Sequence, residues 1–178
     1  MTRRMLRLLR QPPAMIGHYF PDLVYGANDG IITTFAVVSG VVGADLSERV
    51  ILILGFANLV ADGFSMGASN FLSRRSYAEA VERADPREAA RHGAATSIGF
   101  LTAGTVPLVA YLAPFPEGER FPAAIALTLA TLFAVGASRA LVTRLGWLRS
   151  GFEMLAVGAL AAAVAYGIGA LASALTGS

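Results

Sequence analysis

The chain has no cysteine, two histidines and one tryptophan, and only 15% of its 178 residues are charged. Lacking cysteine, it has no disulfide, no thiolate metal site and no cysteine nucleophile, although the compartment stays open. So few charges beside 55% hydrophobic residues, with a mean hydropathy of +0.60, exclude an ordinary soluble domain. They indicate an integral membrane protein. Low-complexity tracts and internal repeats are also lacking. The basic stretch Met1 to Ile16 has Leu6, Leu8 and Leu9 interleaved, but its apolar run is too short for a signal peptide and two prolines follow. It reads as an arm on the membrane surface.

A membrane-crossing helix needs about 20 apolar residues. Five segments reach that length, at 22–44, 49–72, 93–113, 122–144 and 152–175. The expected fold is therefore all-α with five transmembrane helices, an odd number that puts the termini on opposite sides. There is no lysine, so all fourteen basic residues are arginine. Twelve of them flank one set of span ends (Arg3, Arg4, Arg7 and Arg10; Arg74, Arg75, Arg83, Arg87 and Arg91; Arg139, Arg144 and Arg149), and only Arg49 and Arg120 lie on the other side. By the positive-inside rule the N-terminus is cytoplasmic and the C-terminus outside. The pI near 9.4 thus reports topology and contact with anionic lipid, and no nucleic-acid partner is expected.

The chain divides into a surface arm at 1–21, transmembrane helices at 22–72, a short cytoplasmic helical segment at 73–92 and three further transmembrane helices at 93–178. Pro21 and Pro122 suit the first turns of spans one and four, Ser47 can cap span two, and Ser150-Gly151-Phe152-Glu153 has the capping-box pattern before span five. Glu153 therefore reads as a cap. Ser76-Tyr77-Ala78-Glu79 and Asp85-Pro86-Arg87-Glu88 repeat that pattern, which predicts a short helix, a break at Pro86 and a cytoplasmic extension of span three. Glu79 and Glu82 share a helix face and could bind a divalent cation, but alternating arginine and glutamate more often form a solvated face. The loop from Pro114 to Arg120 is a turn-rich connection without evident chemistry.

The informative residues lie inside the spans. Asp29 sits in Tyr25-Gly26-Ala27-Asn28-Asp29-Gly30, ahead of an apolar run, and a carboxylate in lipid costs roughly 2.5 kcal/mol or more. Such an acid normally faces a bundle interior, a partner or an ion path. Asp22 is two turns away on the same face. Gly26 and Gly30, with Gly63 and Gly67, suggest a close contact involving spans one and two. In span two Asn58, Asp62, Met66 and Asn70 recur every fourth residue, beside Ser65 and Ser69. This polar stripe either bonds neighbouring helices or lines a hydrated path. Carboxylate and amide oxygens suit hard divalent cations, whereas the Met66 thioether favours a softer metal such as iron(II). A lone membrane methionine is usually core filler.

Three stretches resemble the vacuolar iron transporter family, in particular its shorter prokaryotic members: Asp22 through Gly30 to Ala44, Gly55 through Asp62 to Gly67, and Gly104 to Leu112. The Glu153-Met154-Leu155 opening of span five adds to the likeness. The resemblance implies a homodimer of five-helix protomers, with an ion path between the two first helices. It implies export of iron(II) or manganese(II) from the cytosol against protons, with no permanent cofactor. Asp29 and Met66 match the family's metal residues, and Asp22, Asn28, Asn58, Ser65 and Asn70 would line the path or couple protons. Asp62 enters as a third metal residue because the better-known members have a glutamate where Asn58 stands, and here an acid appears one turn later. Those members also carry a long glutamate-rich cytoplasmic domain, reduced here to the short segment holding Glu79, Glu82 and Glu88, the possible cytoplasmic metal-capture residues. A prokaryotic inner membrane is the expected location.

Two other readings follow from the same residues. A non-transporting scaffold member would use Asp29 and Asp62 only to join helices. An enzyme is not expected: there is no nucleophile pattern, His18 and His92 lie at the predicted membrane edges, and only the aspartates could do acid-base chemistry.

Overall fold

A computed structural model describes residues 14–81, 85–143 and 145–177. Residues 1–13, and with them most of the expected surface arm, lie outside that set, as do Glu82, Arg83 and Arg144. The described residues are helical and contain no strand. The elements are α1 (Ala14–Gly43), α2 (Glu48–Ala80), α3 (Pro86–Gly104), α4 (Val106–Leu112), α5 (Glu117–Ser138), a 3-10 turn (Arg139–Leu141) and α6 (Trp147–Thr176).

α3 and α4 act as one pass, Pro86–Leu112, broken at Thr105 just ahead of Pro107. Proline has no N–H to continue the ladder, and its ring crowds the preceding turn. Four units are long and apolar enough to cross a membrane: α2, α3 with α4, α5 with the 3-10 turn, and α6. The fifth expected span, α1, is 30 residues long but is not among them. Asp22, Asn28 and Asp29 lower its hydropathy, and the other helices pack on one side of it. α1 packs on α3 and α6, with α2 and α5 alongside. Ile31, Thr34, Phe35, Val38 and Ser39 of α1 are buried, whereas α2 and α6 turn Phe64, Leu160, Ile168 and Leu171 outward.

Several expected boundaries move. α1 begins at Ala14, so Pro21 lies inside the helix and not in its first turn. α5 likewise begins at Glu117 and encloses Pro122. Ser76 is no cap, because α2 runs through it to Ala80. Nor does Ser150 start α6, which begins at Trp147; Glu153 instead accepts from Arg149 Nε at 3.0 Å and lies 4.0 Å from Arg139. In a continuous helix the i, i+3 spacing of a capping box is also ordinary same-face spacing, so that pattern alone does not mark an end. Ser47 does occupy the N-cap of α2, without a side-chain bond, and Asp85 caps α3, accepting from Arg87 N at 2.9 Å.

The glycines dictate which helices meet. A Cβ on Gly26 or Gly30 would overlap the carbonyl oxygens of Thr96 and Phe100, and one on Gly99 would overlap that of Leu23. α1 and α3 therefore touch backbone to backbone. Gly63 and Gly67 of α2 also face α3, at Leu101 and Ser97. Both small-residue pairs thus converge on α3, not on each other as the sequence suggested. Arg74, Arg139 and Arg149 gather at the end where α1 starts, while Arg120 pairs with Glu48 at the opposite end.

Candidate functional site

The site lies in the seam where α1, α2 and α3 meet. On α2, Gly55, Leu59, Gly63 and Gly67 are fully buried and form the face that packs on α3 and α4. The neighbouring stripe of Asn58, Asp62, Met66 and Asn70 is half-buried, and Ser65 and Ser69 are exposed beside it. The polar stripe is thus an edge of the packed face, narrower than the full set of polar residues suggested. Met66 packs against the buried core that contains Leu59 and Phe100.

Midway along α1, Asp29 is half-buried, and Thr33 Oγ1 donates to its backbone carbonyl at 2.8 Å. Among the described residues, Asp62 on α2 is the charged side chain that acts electrostatically on the Asp29 carboxylate. Among the described residues neither carboxylate has a hydrogen-bonded or ion-paired side-chain partner. Two like charges in a poorly solvated seam, with no counter-charge among the described residues, are relieved by protons or by a cation. Asn28 stands one residue earlier. It lines a cavity of about 800 Å³ between α1 and α6 that Tyr25, Arg139 and Glu153 also line, and its Oδ1 is buried without a partner.

Two turns towards the start of α1, Asp22 is in a different situation. It is buried, and Oδ1 accepts from Asn70 Nδ2 at 2.8 Å and from Arg74 Nη2 at 3.0 Å, while Oδ2 lies 2.6 Å from His92 Nδ1. Asn70 Nδ2 also reaches Thr96 Oγ1 at 2.6 Å, and Asn70 Oδ1 accepts from Arg74 Nε at 3.0 Å. Asp22 and Asn70 are therefore bonded on all sides and tie α1, α2 and α3 together. The Arg74 guanidinium supplies the counter-charge that Asp29 and Asp62 lack.

Of the expected cytoplasmic glutamates, Glu82 lies outside the described residues, and Glu79 and Glu88 do not come together. Glu79 pairs with Arg75 at 2.8 Å, one helical turn away, as a solvated face would. Glu88 instead lies 2.7 Å from His18 Nε2, at the rim of a cavity of about 850 Å³ between α2 and α3 that His92 and Arg74 also line. Sequence reasoning missed His18, Arg74 and His92 as site residues. A signal was present, since His18 stands four residues before Asp22 and Glu88 four before His92, each pair on one helix face.

Comparison with known proteins agrees with this architecture. The VIT family model matches residues 20–92 and 82–170, two stretches that meet at the α2–α3 connection. The chain is 32% identical over 164 residues to vacuolar iron transporter homolog 1 of Oryza sativa subsp. japonica, covering 82% of this chain and 70% of that protein. It is 23% identical over 211 residues to vacuolar iron transporter 1 of Arabidopsis thaliana, covering 84% of each. A local match to the vacuolar iron transporter of Toxoplasma gondii, 44% identical over 70 residues, covers 39% of this chain and only 23% of that protein. Helices of crossing length make the molecule a multi-pass membrane protein. With the family model matched over most of its length, the chain belongs to the VIT family.

Proposed function

We propose that this protein is a proton-coupled transporter that exports a divalent transition metal, iron(II) or manganese(II), from the cytosol as a homodimer. The observation that carries this reading is the pair Asp29 and Asp62, two acids in one seam without a counter-charge among the described residues. When both are ionised they carry two negative charges, which one divalent ion neutralises. When the ion leaves, two protons restore the same net charge. Exchange of one metal for two protons therefore never strands an unpaired charge in the seam. Met66, one turn from Asp62, would add a soft ligand that favours iron(II) over calcium or magnesium. In this reading Asp62 takes the part of the glutamate that the family resemblance places at Asn58.

A dimer fits the open side of α1. Pro21 and Tyr25 are exposed, and Asn28, Asp29, Ile32 and Thr33 continue that strip half-buried. A second copy placed against this strip would bring two Asp29 residues towards one path. The clustered arginines orient the start of α1 towards the cytoplasm, and a prokaryotic inner membrane is the proposed location.

Purified protein in liposomes, given iron(II), manganese(II), zinc(II) or calcium under an imposed pH gradient, tests the function. Metal uptake coupled to proton movement for iron(II) or manganese(II), lost in Asp29→Ala and Met66→Ala, is the expected result. Absence of flux and of metal binding for every ion would identify a non-transporting scaffold member instead.

A further inference from the structure

His18, Glu88 and His92 offer three ligand atoms that lie within 4.8 Å of one another. On α1 the cluster's His18 stands eleven residues before Asp29, three turns or about 16 Å at 1.5 Å per residue. It shares no residue with the Asp29, Asp62 and Met66 group. We propose that it is a separate binding site for a late first-row divalent ion of the zinc(II), cobalt(II) or iron(II) kind, a proposal that holds whether or not the protein transports.

The geometry begins with Asp22. Its carboxylate, held by Arg74 and Asn70, can only accept from His92, so the His92 proton is on Nδ1. That leaves the lone pair of His92 Nε2 directed at His18 Nε2, 3.2 Å away. A carboxylate that fixes one histidine nitrogen so that the other can bind metal is the usual outer-sphere arrangement of histidine metal sites. The Tyr19 ring lies 4.7 Å from that of His92 and 5.0 Å from that of His18, which restrains both imidazoles. Two nitrogens bound to one tetrahedral metal at about 2.0–2.1 Å lie about 3.3 Å apart. The observed separation needs almost no adjustment.

Glu88 Oε1, 2.7 Å from His18 Nε2, belongs to a half-exposed side chain that can swing to complete a two-histidine, one-carboxylate set. Binding uses the His18 tautomer that keeps its proton on Nδ1 and leaves the Nε2 lone pair for the metal, and the half-exposed ring is reachable from solvent. A fourth position opens on the cavity beside Glu88 and His92 and would be filled by water. Imidazole-rich donors favour zinc, cobalt or iron over magnesium and calcium.

The composition makes the test direct. His18 and His92 are the only histidines, so any imidazole around a bound metal comes from this site. Untagged protein in detergent is loaded with zinc(II) and examined by zinc-edge X-ray absorption, together with titration of wild type, His18→Gln, Glu88→Gln and Asp22→Asn. Expected are imidazole scattering from two rings in wild type and at least tenfold weaker binding in the first two variants. Asp22→Asn is expected to lose about 10–100-fold. A metal shell with oxygen and sulfur but no imidazole, or unchanged binding in His18→Gln, overturns the proposal without touching the assignment at Asp29.

Discussion

Asp29 on α1 and Asp62 on α2 lie within electrostatic reach of each other, and among the described residues neither carboxylate is bonded to another side chain. Seven residues earlier, Asp22 shows the contrasting case, with Arg74, Asn70 and His92 all on one carboxylate. The two acids of α1 thus have opposite characters. Asp22 is tied into the fold, and Asp29 is left for a mobile charge.

Moving the acid back to its family position tests whether Asp62 is a displaced group. Asp62→Asn should reduce metal-driven proton flux at least tenfold, and adding Asn58→Glu to it should restore a measurable part of that loss. Both positions are half-buried on one face of α2, one turn apart. No recovery in the double variant would mean that the position of the acid, and not its presence, is what matters.

Selectivity is expected to depend on the Met66 thioether. Met66→Leu conserves volume and should cost less than about 1.5 kcal/mol of stability, while removing the one soft ligand. In competition uptake the preference for iron(II) over calcium should fall several-fold with the folded fraction unchanged. An unaltered preference would return Met66 to the role of core filler.

Close packing of α1 on α3 has its own signature. Gly30→Ala places a methyl group against the Phe100 carbonyl and should destabilise the detergent-solubilised protein by about 1–3 kcal/mol. Gly118→Ala, in the first turn of α5 with nothing within 4 Å, should be neutral or stabilising by about 0.4–1 kcal/mol. Thermal unfolding of both variants reads the difference in sign.

A cysteine-free chain allows the proposed dimer face to be mapped without background. Tyr25 is 62% exposed on the open side of α1, whereas Phe64, 76% exposed, points outward from α2. Tyr25→Cys should form an intermolecular disulfide on mild oxidation in membranes, and Phe64→Cys should not. The reverse pattern would place the contact between copies on another face.

How far the sequence could be read depended on the range of each interaction. Helix content, the polar stripe of α2 and the isolation of Asp29 were legible because hydropathy and spacing are local properties. The capping boxes at Ser76 and Ser150 misled, since the same spacing serves same-face pairs such as Arg149 with Glu153 inside a helix. Gly26 and Gly30 announced a close approach but could not name α3 as its partner. The His18, Asp22, Glu88 and His92 cluster joins residues 70 or more apart, so only its two local halves could be seen in advance.

The most direct test of the central claim is metal-driven proton movement in proteoliposomes carrying wild type, Asp29→Asn or Asp62→Asn. Wild type is expected to move protons only when iron(II) or manganese(II) is present, and each neutral variant to lose at least nine-tenths of that rate. Proton movement at the wild-type rate in both variants would contradict it.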